Sequence, residues 1–135
     1  MGKVIGLGGL FMHCADTTAT KAWYKKVIGT DGNDYGGWDF LHAAAGEKFP
    51  QGARTIFAMF DNPEYFKPST EPFMLNLMVD DMEGLLARLK EEGIEECQPG
   101  ETYSYGKFAW LMDPDGRKVE LWQPFEPEEN PGEAS

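Results

Sequence analysis

The apolar positions of this chain change period twice, in the same order. Residues 4–13 form a nearly continuous apolar run containing glycines, which predicts a buried strand. Asp16 then stands where a helix N-cap belongs. Ala19, Ala22, Trp23, Val27 and Ile28 follow at spacings of three and four, so a helix with one apolar face is expected to run to Gly29. Further on, Phe73 to Val79 is a second apolar run and Asp80-Asp81 supplies a cap. Met82, Leu85, Leu86 and Leu89 then mark a second amphipathic helix that stops at Gly93. Equivalent caps lie about 64 residues apart, which predicts two duplicated modules rather than a solenoid.

Shorter segments of strand character follow each helix. In the first half they are residues 38–41 and 54–60, with a weaker candidate at 28–35; in the second they are 95–98 or 101–105, then 107–112 and 117–123. Asp113-Pro114-Asp115-Gly116 predicts a hairpin turn between the last two, because proline presets the dihedral of the second turn position and glycine accepts a positive one. Strand, helix and three strands, taken twice, belong to the α+β class. A single domain is expected over 1–123, with modules at about 4–66 and 72–123. An acidic, proline-rich tail over 124–135 has too little apolar surface to offset its ordering entropy.

Composition narrows the partners. The 135 residues suffice for one core and not for two ordinary domains. The net charge is -11, of which Glu126, Glu128, Glu129 and Glu133 of the tail contribute four, leaving -7 for the rest. So acidic a chain repels phosphate backbones and anionic lipid, and neither nucleic acid nor membrane is expected as a partner. No apolar run approaches the roughly 20 residues of a membrane span. The start reads as carrying neither a secretion leader nor a myristoyl signal, and Cys14 and Cys97, far apart, predict reduced thiols in the cytoplasm. Gly6-Leu7-Gly8-Gly9 lacks the third glycine of a dinucleotide fingerprint, Phe11 standing in its place. Residues 31–35 fail the calcium-loop pattern at the fifth position. His13 and Cys14 face opposite ways on a strand and do not form a catalytic pair.

The tandem strand-helix-strand-strand-strand order and the Ala22-Trp23-Tyr24 segment behind Asp16 have a familiar look. So, above all, does the ending Phe108-Ala109-Trp110-Leu111-Met112-Asp113-Pro114-Asp115-Gly116-Arg117-Lys118-Val119-Glu120-Leu121-Trp122. Together they resemble the vicinal oxygen chelate superfamily of glyoxalases, bleomycin-resistance proteins and extradiol dioxygenases, over roughly residues 4 to 123. The resemblance implies two half-barrel modules enclosing a U-shaped cleft. Enzymatic members hold a divalent metal there, which stabilises an enediolate or activates oxygen. The fold also hosts epimerases, thiol transferases and metal-free drug binders, so it does not by itself choose a function. The ligand positions it implies fall at Gly9, Phe57, Met74 and Glu120. Glycine and phenylalanine offer no side-chain donor and a thioether is too soft, so Glu120 alone matches. His13 shares a face with Gly9 but lies roughly 13 Å along the strand, and His42 has no partner in view. No metal and no other cofactor is expected.

Lys118, Glu120 and Trp122 share one face of the last strand, alternating with Val119 and Leu121. The resemblance places that face in the cleft, where Glu120, isolated against Trp122 and Met74, becomes the candidate catalytic acid or base. Phe11, Trp38, Phe40, Phe57, Tyr105, Trp110 and Trp122 are expected to line the cleft together with Met74, and Asn76 to fix a ligand's orientation. Trp23 and Tyr24 lie on the first helix and are expected in the core or in an interface. A cleft so lined suits a flat aromatic or cationic small molecule. The expected function is therefore metal-free small-molecule binding similar to the bleomycin-resistance branch, in a homodimer as that branch implies. The alternatives are a lyase or dioxygenase with a relocated divalent metal or with Glu120 as acid and base, and a pseudo-enzyme serving as an interaction module.

Overall fold

Four strands make one mixed sheet in the computed structural model, which describes residues 2–126. They are β1 (Leu75–Met78), β2 (Gln98–Tyr103), β3 (Gly106–Met112) and β4 (Lys118–Pro124), lying side by side in the order β1-β4-β3-β2. β1 runs parallel to β4 and the other pairs are antiparallel. The register of β2 against β3 is interrupted between Gln98 and Glu101. Three helices, α1 (Thr17–Ile28), α2 (His42–Lys48) and α3 (Met82–Glu91), and a single 3-10 turn at Pro63–Phe66 complete the elements. The architecture is α+β, the expected class.

The core follows from alternation. Leu75, Leu77, Ala109, Leu111, Val119 and Leu121 point to one side of the sheet, where Tyr24 and Val27 of α1 and Met82 and Leu89 of α3 close over them. Each large apolar side chain so buried contributes about 1.5–3 kcal/mol. Asp16 caps α1 by accepting from the N–H groups of Thr18 and Ala19 at 3.0 and 3.1 Å, and the helix ends on Gly29 in the left-handed conformation. Asp81 caps α3 through the Gly84 N–H at 3.1 Å. Arg88 of α3 donates to the Lys26 and Val27 carbonyls, satisfying the C-terminal end of α1.

The β3–β4 turn is tied to α1 by buried polar groups. Tyr24 donates its hydroxyl to Asp113 at 2.7 Å, and Arg117 donates to Asp113 and Asp115 at 3.1 and 3.2 Å. Arg117 also reaches the His13 carbonyl at 2.6 Å, and Thr20 donates to Asp115 at 3.1 Å. Gly116 takes the left-handed conformation that closes the hairpin.

The second half thus completes strand, helix and three strands. The first half forms its helix, but the segments expected as strands at 4–13, 38–41 and 54–60 join no sheet among the described residues. An apolar run becomes a strand only when another strand takes up its N–H and C=O groups. Here Val4, Ile5, Phe11, Ile56, Phe57 and Met59 instead remain 61–94% exposed. The segment after residue 41 coils into α2 because Ala43-Ala44-Ala45 favours helix. The weaker candidate at 28–35 is the end of α1 followed by a turn, in which the Asn33 side chain accepts from the Tyr35 and Gly37 N–H groups. At the other end β4 runs through Pro124, and Glu126 accepts from the N–H groups of Gln51 and Gly52 at 3.2 and 3.0 Å. The boundary expected at 124 therefore falls inside the fold, and residues 127–135 of the expected tail lie outside the described residues. No described helix is long and apolar enough to cross a membrane.

Candidate functional site

The side of the sheet turned away from α1 and α3 carries the polar chemistry. Antiparallel register sets Phe108 opposite Trp122 and Trp110 opposite Glu120, while the parallel pairing sets Asn76 beside Glu120. Glu120 is only 7% exposed. Its Oε1 accepts from Asn76 Nδ2 at 2.6 Å, and its Oε2 accepts from Trp110 Nε1 at 2.9 Å and from the Tyr65 hydroxyl. The carboxylate is therefore not the isolated group expected from the sequence. Three neutral donors from β1, β3 and the 3-10 turn surround it, two because register brings them there and one from 55 residues away in the chain.

Lys118, 2% exposed, lies beside this group. Its ammonium donates to the Tyr65 carbonyl at 2.9 Å and stands 5.6 Å from the ring centroids of both Tyr65 and Trp110, a cation over two π faces. Burial, then the hydrogen bond to Glu120 and its charge, push the Tyr65 phenol well above its ordinary value, so the phenol stays protonated and donates. Phe108 stacks between Trp110 and Trp122 at 6.4 Å from each, and Tyr105 meets Phe108 edge-on and stacks on Tyr103. The result is an aromatic wall running across β4, β3 and the end of β2.

Gly106 sets the position of that wall. A Cβ there would lie 2.6 Å from Trp122 Nε1 and 2.8 Å from the Gln123 carbonyl, closer than atoms tolerate. The Trp122 Nε1 donor is itself buried, with no hydrogen-bond partner among the described residues. Gly106→Ala is expected to push the indole outward, at about 1–3 kcal/mol of stability, with a red shift of tryptophan emission. Urea denaturation followed by circular dichroism, together with emission spectra, measures both; an unmoved spectrum would show that the indole is not held there.

The structure brings Glu120, Asn76, Trp110 and Trp122 together, with Tyr105 at the exposed end of the wall. It does not bring the first-half aromatics to them. Phe11 and Phe57 are 94% and 76% exposed. Trp38 packs on the helix side of the sheet and donates to the Thr30 carbonyl at 3.0 Å. Phe40 lines a groove of about 480 Å³ on that same side, with Val27, Leu77, Leu85 and Arg88. Met74 is half-buried just ahead of β1. These positions follow from the first-half segments having no place in the sheet. Sequence reasoning placed Lys118 on this face beside Glu120 and missed Tyr65 and Phe108. The Asn62-Pro63 pair, a turn-starting signal, was the local hint that Tyr65 sits on a fixed turn.

The positions implied for a divalent metal do not fit a hard ion. Gly9 and Phe57 are exposed and carry no donor, Met74 offers sulfur, and both Glu120 oxygens already accept hydrogen bonds. Among the described residues no three or more His, Cys, Asp or Glu side chains converge. His13 is exposed and engages Arg117 through its carbonyl, and His42 is exposed at the start of α2.

Comparison with known proteins places this geometry. The family described as glyoxalase-like domain matches residues 9–122. A solved structure from the mobile metagenome of V. Pseudocholerae is 18% identical, with a TM-score of 0.58 over 91% of this chain and 97% of that one. A glyoxalase/dioxygenase from Nostoc punctiforme is 15% identical, with a TM-score of 0.55 over 93% and 99%. TnmS3, an antibiotic binding protein from Streptomyces sp. CB03234, is 28% identical, with a TM-score of 0.48 over 82% and 88%. No curated protein matches. With the family matched over nearly all of the described residues, the chain belongs to the glyoxalase-like domain family.

Proposed function

We propose that this protein binds a small aromatic molecule on the Glu120 face of its sheet, without a metal, and that it does so as a homodimer. The observation that carries the proposal is the pairing of a buried, fully hydrogen-bonded carboxylate with the stacked wall of Trp110, Phe108 and Trp122. An apolar wall with a few convergent polar groups is the usual make-up of a small-molecule site. Asn76 is exposed while the Glu120 it holds is buried, so the β1 side offers a route in from solvent. The Lys118 ammonium is buried on this same face, and a second cation brought beside it would be repelled, which favours a neutral aromatic ligand over a cation. Exposed apolar side chains of the first half, together with the border of β1 that pairs with no strand among the described residues, support a second copy as the partner.

A thermal-shift screen of aromatic metabolites, run with and without a chelator, tests this. At least one compound is expected to raise Tm in proportion to its concentration, as mass action requires. Chelation should leave that shift intact, and Glu120→Gln should weaken binding by about tenfold or more. A screen without hits, a hit abolished by chelator, or a hit indifferent to Glu120→Gln would overturn the proposal.

A further inference from the structure

Tyr65 contacts the Glu120 site in the way a bound molecule would. Its hydroxyl donates to Glu120, its ring stands edge-on to Trp110 at 6.4 Å and 89°, and the Lys118 ammonium lies 5.6 Å from its centroid. An acceptor for a hydroxyl, an aromatic wall and a cation over the ring are the three features that recognise a free phenol.

Burial separates the guest from its host. Glu120, Lys118 and Trp110 are 7%, 2% and 1% exposed, whereas Tyr65 is 39% exposed. The three host groups stand on paired strands of the sheet. Tyr65 rides on a four-residue 3-10 turn, closed by the Asn62 side chain on the Glu64 N–H at 3.0 Å and flanked by an exposed Lys67–Glu64 ion pair. Short turns with solvent-accessible hydrogen bonds belong to the low-stability end of a fold. Exposed ion pairs add little to them.

We propose that Tyr65 is a displaceable plug, and that the ligand of the site is a phenol or another hydroxyaromatic that takes its place on Glu120. This deepens the reading of the Glu120 face as the binding site and rests on it. The incoming hydroxyl inherits the hydrogen bond that Tyr65 gives up, and when the Tyr65 side chain alone swings out its carbonyl keeps the Lys118 ammonium, so little is left unsatisfied in the exchange. The intact chain then binds more weakly than the empty pocket would, by the fraction of time the plug is out. A ring without a hydroxyl proton to donate would leave Glu120 Oε2 one donor short, and a site built to bond a hydroxyl rejects such analogues strongly.

Calorimetric titration of the full chain with phenol and with anisole, its methyl ether, tests the plug. Tyr65→Ala is expected to bind phenol at least about tenfold more tightly than the unsubstituted protein does, and at least about tenfold more tightly than it binds anisole. Adding Glu120→Gln to Tyr65→Ala should erase the preference for phenol. Equal phenol binding with and without Tyr65, or equal binding of phenol and anisole by Tyr65→Ala, overturns the proposal. Should Tyr65→Ala not fold, Tyr65→Phe serves: it keeps the ring and removes the bond to Glu120, and its phenol affinity should rise by about threefold or more. No rise overturns the proposal. An aromatic metabolite that binds the unsubstituted protein and the Tyr65→Ala variant equally well would remove the plug and leave small-molecule binding standing. Phenol held by Tyr65→Ala through Glu120, with no aromatic ligand for the intact chain, would keep the plug and remove the functional reading.

Discussion

Asp113→Ala is expected to cost about 3–5 kcal/mol of folding stability, a large part of the roughly 5–15 kcal/mol that hold an ordinary domain together. The Asp113 side chain is fully buried, with Arg117 at 9% exposure beside it. It accepts from the Tyr24 hydroxyl at 2.7 Å, from the Asp115 and Arg117 N–H groups at 2.9 Å each, and from the Arg117 guanidinium at 3.1 Å. Alanine leaves a buried phenol and two turn N–H groups without acceptors, and a guanidinium with only Asp115 and the His13 carbonyl. Each orphaned group costs about 1–3 kcal/mol. Asp113→Asn retains an oxygen for the turn and should cost less than half as much. The midpoint of urea unfolding, followed by circular dichroism, measures both. A loss below about 1 kcal/mol for alanine would mean that water reaches the turn and replaces the carboxylate.

Raising the pH past 10 should destabilise the fold steeply. Burial, then the hydrogen bond to Asp113 and its charge, push the Tyr24 phenol well above its usual value of 10.0. In the unfolded chain the phenol ionises near its usual value; in the folded protein it keeps its proton. The stabilisation is therefore complete below pH 10 and is lost as the pH climbs, because only the unfolded state sheds the proton. The loss reaches about 1.4 kcal/mol per pH unit for one such group. Tyr65 is shifted in the same direction, but it is 39% exposed and adds a smaller share. Tyr24→Phe is less stable at neutral pH, having lost one hydrogen bond, yet between pH 10 and 11.5 its unfolding midpoint should fall only by the smaller share that Tyr65 contributes. Parallel declines of the two proteins would remove Tyr24 as the cause.

The second half was legible because its signals are local. The Asp113-Pro114-Asp115-Gly116 turn fixes the β3–β4 register, and the alternation of Ala109, Leu111, Val119 and Leu121 names the buried side. Asp81, Met82, Leu85 and Leu89 similarly define α3. From that register the meeting of Glu120, Trp110 and Asn76 follows almost directly. The first half misled because an apolar run reports only which residues gain from burial. Whether residues 4–13 or 54–60 find a strand to pair with depends on the rest of the fold. Trp38, Phe40, Phe11 and Phe57 were placed by that assumption and left the cleft with it. Tyr65 was out of reach for a related reason: the periodicity around it says nothing of a carboxylate 55 residues further along.

The two borders of the sheet differ in kind. β2, on one border, holds Pro99, which has no N–H to offer, along with Glu101 and an interrupted register. β1, on the other, shows Leu75 to Met78 with no proline and no charge. A sheet blunted on one side can be extended only from the other. Two copies meeting border to border through β1 would use up the growing end of each, so that mode of pairing stops at two and cannot propagate into a filament.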